Sequence, residues 1–286
     1  MSRPVRDHIP HSAPQAQAFP RATVRTVRVQ GGEAVPGICN AICERELKVY
    51  VNGEQLVSLL CSPVDLRELA HGFLYSEQVV NSLADIRSFS LDEASLKASF
   101  ELAVPYGRPA CPTVSSGFGG KVLVAGTSVD IPLSRGSHEP EDIRAVEEAV
   151  AASAVMCAQA REYAVTRGMH CSALFRDGEM LAIFEDVGRH NTFDKLAGRC
   201  MLEGTSLRGA LLATTGRVSG EMMRKALRLG VRKVVSLSGP TDVAIDVARA
   251  AGALLVGYAK NGSATVYAGF DESPCEGAAL CEAAAL

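Results

Sequence analysis

The sequence predicts an α/β protein, with a β-rich N-terminal part joined to a domain that layers helices on a sheet. Three observations carry this. Residues 210–267 alternate short apolar runs with segments of helical period, as strands and helices do in an α/β sheet. Asn52-Gly53 and Asp177-Gly178 each separate two apolar runs, and Asn261-Gly262 precedes another. Such pairs supply the positive φ that both central residues of a type I′ hairpin turn need. Finally, regular patterning stops over residues 105–138, where the stretch 109–121 holds two prolines, three glycines and three hydroxyl residues. A loop of that length and composition, expected to be mobile, divides the two parts.

Taken in order, residues 1–22 mix Pro, Arg, His and Gln without periodicity and are expected to form a flexible tail. Strands are expected at 26–29, 47–51 and 56–60. A helix then opens at Ser62-Pro63-Val64-Asp65, with Leu66, Leu69, Ala70, Phe73 and Leu74 on one face. Pro63 is expected in its first turn and Asp65 at the positive end of its dipole. Residues 86–104 read as strands and complete a β-rich part spanning 23–138. The α/β domain spans 139–270. It opens with a long helix from Pro140, carrying Glu141 and Asp142 in its first turn and a stripe of Val146, Val150, Ala154 and Cys157, and ending at Gly168. A hairpin (171–175 and 180–184) follows, then strands at 210–214, 233–237, 254–258 and 264–267 with helices at 221–229 and 243–251. Residues 271–286 are Ala/Glu-rich and expected to be peripheral.

At 286 residues and a formal net charge of -3, the chain has ample core and no global basic field to attract nucleic acid or a membrane. No stretch is apolar enough to span a bilayer, and residues 1–22 lack a signal-peptide core, so the cytoplasm is the expected compartment. The nine cysteines are scattered, which suits a reducing compartment better than a disulfide framework. There is no C-x-x-C pair, and Cys39/Cys43 alone is a weak zinc signal.

Chemistry concentrates at strand-to-helix junctions. Residues 185–195, Glu-Asp-Val-Gly-Arg-His-Asn-Thr-Phe-Asp-Lys, follow an apolar strand and load its carboxyl end with groups of both signs. Open α/β sheets bind ligands at such ends, and convergent ionisable groups cost stability unless used. Asp186 is a candidate to orient His190 or an arginine. Thr214-Thr215-Gly216-Arg217-Val218-Ser219-Gly220 and Ser236-Leu237-Ser238-Gly239-Pro240-Thr241 are two further junctions whose glycines, hydroxyls and helix N-termini suit an anion; Arg217 adds a planar fork for phosphate. Tyr258-Ala259-Lys260-Asn261-Gly262-Ser263 is a fourth candidate. His170 and His190 are acid–base candidates, because the imidazole is the side chain whose ordinary pKa lies near neutrality. Neither H-x-E with P-C-x-x-C nor G-x-S-x-G occurs, which argues against a zinc deaminase and a serine hydrolase. Cys111, borne in the glycine-rich loop, is the candidate thiol for sulfur chemistry.

Over residues 25–268 the chain resembles the FdhD family, the formate dehydrogenase accessory sulfurtransferases. The likeness rests on Val51-Asn52-Gly53, the run from Cys61 to Leu74, residues 168–173, Glu185-Asp186-Val187-Gly188-Arg189-His190-Asn191 with Asp194-Lys195-Leu196, Gly216-Arg217-Val218-Ser219, and residues 256–267. The resemblance implies a cytidine-deaminase-like α/β/α layered domain with an added N-terminal β-rich subdomain, no zinc, and a homodimer. It implies sulfur accepted from a cysteine desulfurase as a persulfide and passed to the molybdenum (or tungsten) bis-molybdopterin guanine dinucleotide destined for formate dehydrogenase. The family's cofactor-binding segment matches Tyr258, Ala259, Lys260, Asn261, Gly262 and Ser263, and Arg189, His190, Arg217, Ser219, Asp186 and His170 are expected to complete the cradle. One departure stands out: the family's persulfide cysteine lies in a Gly-Cys-Gly core, and the matching residues read Gly117-Phe118-Gly119. Either Cys111 takes that role, or the chain is a non-catalytic cofactor carrier.

Overall fold

The computed structural model describes residues 19–105 and 141–270; Cys111, Phe118 and nearly all of the expected loop and tails lie outside the described residues, but Arg21 and Ala22, expected in the flexible N-terminal tail, belong to the first strand. Strand β1 (Arg21–Gln30) and β2 (Glu33–Ile42) form a two-stranded ribbon, of which the sequence suggested only a short piece of β1. Its side chains are largely exposed, so no burial pattern marked β2 in the sequence. Arg21 fastens the ribbon's base by a two-pronged pair with Glu162, at 3.1 and 2.7 Å.

β3 (Arg45–Val51), β4 (Glu54–Cys61), β5 (Ile86–Asp92) and β6 (Lys97–Leu102) make a four-stranded sheet in the order β4-β3-β6-β5. The β3–β4 turn has Asn52 at φ 50° and Gly53 at φ 83°, the geometry that Asn-Gly supplies. Helix α1 (Leu66–Ser76) covers this sheet and buries Leu69, Ala70, Phe73 and Leu74. Its start differs from expectation: Pro63 precedes the helix, and Asp65 is the N-cap in a left-handed conformation, with no capping hydrogen bond from its side chain.

α2 (Ile143–Gln159) begins at the cap Asp142, whose carboxylate accepts from the amides of Arg144 and Ala145 at 2.9 and 3.1 Å. The single helix expected to run to Gly168 is two: Ala160 leaves helical geometry at ψ 85° and α3 (Arg161–Thr166) restarts there. The buried face of α2 is Ala145, Val146, Ala149, Ala152, Ser153 and Met156, and Ala154 faces outward, so the stripe is rotated from the expected one. Small residues on that face let the helix lie close to the sheet.

The remaining elements are β7 (His170–Arg176), β8 (Glu179–Asp186), α4 (Arg189–Glu203), β9 (Leu211–Thr214), α5 (Gly220–Arg228), β10 (Lys233–Ser236), α6 (Asp242–Ala251), β11 (Leu254–Lys260) and β12 (Ser263–Ala268). The six-stranded sheet runs β12-β11-β10-β9-β7-β8; β9, β10 and β11 are parallel and the other pairings antiparallel. Alternate residues face opposite cores, as the strand period requires. Cys171, Ala173, Leu211, Ala213, Val235 and Val256 pack under α2, while Leu174, Leu212, Val234 and Leu255 pack under α4, α5 and α6. The sheet therefore carries helices on both faces. The two parts of the chain meet where α1 crosses α4, and there a Cβ on Gly72 or on Gly198 would overlap the opposing backbone, at Asp194 O and Glu68 O.

Candidate functional site

The register decides where the expected junctions lie. His170 pairs with Asp186, Ser172 with Thr214, Thr214 with Ser236, and Val235 with Val256. The carboxyl ends of β8, β9, β10 and β11 and the start of β7 therefore share one edge of the sheet, so all four loaded junctions stand side by side. Hydrogen bonds lace them: Cys171 N donates to Thr215 Oγ1 (3.0 Å), Ser236 Oγ to Gly216 O (2.7 Å), Ser238 Oγ to Thr215 O (3.0 Å), and Tyr258 N to Ser238 O (3.3 Å). Beneath them lies a buried hydroxyl group that sequence reasoning missed. Ser172 Oγ stands 2.7 Å from Thr192 Oγ1 and 2.9 Å from Thr214 Oγ1, and Thr192 Oγ1 donates to Arg189 O at 2.8 Å. The available signal was three hydroxyl residues on pieces of chain that each abut a junction.

At the middle of the edge, His170, Arg189 and Gly216 come together. A Cβ placed on Gly216 would lie 3.0 Å from Arg189 Cβ and 3.3 Å from His170 Nδ1, so glycine keeps this notch open. Among the described residues, His170 Nδ1 and Arg189 Nε, both buried atoms, have no hydrogen-bond partner. Burial lowers the pKa of both groups; for His170 the Arg189 charge adds to this, and for Arg189 the charge of exposed Arg217 does. Two guanidinium groups repelling each other over unspent donors, beside the first turn of α4, are what an anion would relieve.

Other expected site residues have structural partners. Asp186 is 0 % exposed: Oδ2 is 2.7 Å from Lys195 Nζ and accepts from Ser62 N (3.2 Å), while Oδ1 accepts from Gly188 N (2.9 Å) and Asn191 Nδ2 (2.7 Å). The expectation that it orients His190 or an arginine is corrected, because its lone pairs tie the β8–α4 junction to the loop before α1. Glu185 accepts from the amides of Glu162 and Tyr163 and so caps α3. His190 is buried, with Nδ1 3.0 Å from Glu221 Oε1 on α5. Ser219 is the N-cap of α5, accepting from Met222 N. Ala259 is buried in the core under α2, so its side chain is withdrawn from the edge. Asn261 and Gly262 form the exposed β11–β12 turn, where Ser263 Oγ donates to Lys260 O (3.1 Å); Tyr258 and Lys260 present exposed side chains there. The structure thus gathers His170, Arg189 and Arg217 at one notch, with Tyr258 and Lys260 farther along the same edge.

Among the described residues no group of three or more His, Cys, Asp or Glu is placed to hold a metal ion, and no helix is long and apolar enough to cross a membrane. Burial pushes the thiols of Cys61 and Cys200 up to about 12 and that of Cys171 well above its ordinary value. A thiol held in that form is a poor nucleophile. Cys39 is exposed on the ribbon, far in sequence from the edge.

These features define an α/β protein whose sheet edge gathers His170, Arg189 and Arg217, with a β-rich unit packed against it where α1 crosses α4. The chain belongs to the FdhD/NarQ family, whose pattern matches residues 42–273. It is 32% identical over 251 residues to the sulfur carrier protein FdhD of Bacillus licheniformis, covering 84% of this chain and 92% of that protein. The sulfur carrier protein FdhD of Saccharolobus solfataricus is 29% identical over 254 residues, covering 84% and 93%. A formate dehydrogenase accessory protein from Desulfotalea psychrophila, solved as a crystal structure, shares the fold at TM-score 0.67 and 20% identity, over 87% of this chain and 96% of that one.

Proposed function

We propose that the protein carries sulfur for the maturation of formate dehydrogenase, accepting it from a cysteine desulfurase and delivering it to a molybdenum (or tungsten) bis-molybdopterin guanine dinucleotide bound as substrate at the sheet edge. The observation that carries the reading is the notch at Gly216, where His170 Nδ1 and Arg189 Nε have no partner among the described residues and the charge of Arg217 lies near Arg189. Such a notch suits the phosphates of a guanylated cofactor. The names of the relatives support the sulfur-carrier role. In this reading a Cys111 thiolate attacks the terminal sulfur of the donor's persulfide; the new S–S bond forms as the donor's S–S bond breaks and its cysteine leaves as thiolate. Lys260 then meets a second phosphate or a guanine edge, and His190, held by Glu221, lines the wall next to Arg189. The protein acts in the cytoplasm, a compartment that its scattered cysteines suit; its homodimeric state and the cytidine-deaminase type of its layered domain rest on the family resemblance.

The test is intact mass after incubation with a cysteine desulfurase and cysteine. The wild type gains the mass of one sulfur atom, the gain is reversed by a thiol reductant, and Cys111→Ala abolishes it while Cys39→Ala retains it. A wild type that gains nothing overturns transfer. It favours a second reading, a cofactor carrier without chemistry, which Phe118 between Gly117 and Gly119 motivates. The notch has its own test: Gly216→Val fills the space beside Arg189 and His170. It should weaken inorganic pyrophosphate about tenfold or more in calorimetric titration while the variant still melts cooperatively. Unchanged pyrophosphate affinity would remove the phosphate assignment.

A further inference from the structure

We infer that His170 meets an anion in the Gly216 notch as a proton donor and takes up a proton when that anion arrives, so that occupancy of the sheet edge is coupled to pH. The inference rests on the proposed function, which places a phosphate-bearing ligand at the notch. It adds which side chain adjusts its own charge to hold that ligand.

The geometry is local. One point above Gly216, where a Cβ would stand, lies 3.3 Å from His170 Nδ1, 3.0 Å from Arg189 Cβ and 3.4 Å from Arg189 Cδ. An oxygen brought there meets the imidazole and the start of the Arg189 guanidinium together. His170 Nδ1 is buried and has no hydrogen-bond partner among the described residues, and the same holds for Arg189 Nε. The His170 residue as a whole is only half-buried, which leaves solvent a route for proton exchange. The polar groups next to the notch are already engaged: Thr215 Oγ1 accepts from Cys171 N, and Gly216 O accepts from Ser236 Oγ. Hydrogen-bonding capacity for a ligand therefore rests with the two buried nitrogens.

Charged groups face His170 from two elements. Its cross-strand partner on β8 is Asp186, and α4 brings Arg189 and His190. Burial is the largest influence on the ring and lowers its pKa; Arg189 lowers it further, Asp186 raises it by less, and His190 lowers it again. Asp186 is a weak counterweight because Lys195 already neutralises it at 2.7 Å. Past Arg189, the charge of Arg217 adds to the positive side. The ring of the free protein is therefore neutral at pH 7. A dianion set between His170 and Arg189 reverses the sign of the charge that the ring sees. An opposite charge within about 4–6 Å raises a pKa by roughly one to three units. The ring then binds a second proton from solvent, and Nδ1–H donates to the anion. Affinity is full below the free-state pKa, falls as the pH climbs from there to the higher pKa of the occupied site, and is level beyond it.

The experiment titrates sulfate and inorganic pyrophosphate into the full chain by calorimetry from about pH 6 to about pH 8, in paired buffers of low and high ionisation enthalpy. Sulfate stays a dianion throughout, so its pH dependence belongs to the protein. Pyrophosphate titrates itself, but that contribution is common to all variants and cancels between them. Wild-type affinity for sulfate should fall about tenfold across the range, with the two buffers reporting uptake of up to about one proton. His170→Asn, whose amide donates but takes up no proton, should change less than about twofold. His190, buried 3.0 Å from Glu221, is the other imidazole at hand, and His190→Gln should keep the pH slope whatever it does to the affinity itself. A slope lost in His190→Gln and kept in His170→Asn overturns the assignment. Should His170→Asn fail to fold, NMR of carbon-13-labelled histidine in the wild type reads the same event: one of the six imidazoles should titrate at higher pH with sulfate bound. If none moves, the inference is wrong. A sulfate affinity flat in pH also overturns it and leaves the notch standing, with a neutral ring already offering its Nδ1 proton. If neither anion binds at any pH, the phosphate reading fails and the proton uptake with it.

Discussion

Replacing Gly72 by alanine should destabilise the protein by about 3 kcal/mol or more, the largest effect expected of adding a single methyl group anywhere in the described structure. At Gly72 the obstruction is backbone: the carbonyl of Asp194 and the amide of Gly198 occupy the space a Cβ would take. Side chains rotate out of a clash, but a helix backbone does not, so α1 and α4 would have to move apart along their crossing. Gly198→Ala meets the carbonyl of Glu68 from the other side and should behave alike. Separation of the helices would also loosen the loop before α1, where Ser62 N and Ser62 Oγ bond Asp186 Oδ2 and Val187 N. Urea unfolding of both variants, compared with Gly37→Ala on the exposed ribbon, where a Cβ would meet only Thr26 Oγ1 at 3.4 Å, measures the effect. A loss below about 1 kcal/mol for Gly72→Ala would mean that the crossing is not as close as described.

Lys225→Met should cost about 3–5 kcal/mol, because it strands buried carboxylates. Lys225 Nζ lies 3.0 Å from both Asp194 oxygens, 3.1 Å from Glu77 Oε1 and 3.7 Å from Glu221 Oε1, joining α5, α4 and the end of α1. Burial pulls its pKa down, but the three carboxylates outweigh that and leave it raised. A lysine whose folded pKa lies above its unfolded value contributes its full stability below about pH 10.4 and loses it as the pH rises beyond that. The wild type should therefore soften in alkali more steeply than Lys225→Met, whose Nζ is gone. Parallel alkaline slopes for the two would show that the lysine does not carry the charge balance of this interface. A double replacement, Lys225→Met with Asp194→Leu, should recover part of the loss, since the penalty is the unpaired carboxylate rather than the missing ion pair.

The order and kind of most elements were legible from the sequence, for local reasons. Asn52-Gly53 and Asp177-Gly178 place both turn residues at positive φ, as those residue pairs favour. The strand and helix alternation from residue 210 onward needs only apolar period and cap residues; Ser219 and Thr241 cap α5 and α6. What misled was equally physical. The helix expected from 140 to 168 is interrupted at Ala160, a residue with high helix propensity, because Glu185 captures the amides of Glu162 and Tyr163 and fixes a second start. The ribbon strand β2 lacks a buried face and so lacks the alternation by which strands are read.

The central motif shows the same division. By itself the sequence determined that residues 185–195 carry an unusual density of charge after a strand, and that the junctions after β9 and β10 are rich in glycine and hydroxyls. Only the tertiary structure decided which of those charges are internal ties and which face a prospective ligand. Asp186 and Lys195 are consumed by each other and by a loop whose Ser62 lies 124 positions away, while His170 and Arg189 are brought to Gly216 by strand register, each with a buried nitrogen that has no partner among the described residues. The reason is that a polar group's role is set by what lies within about 3 Å of it, and for a buried group those neighbours arrive from distant parts of the chain.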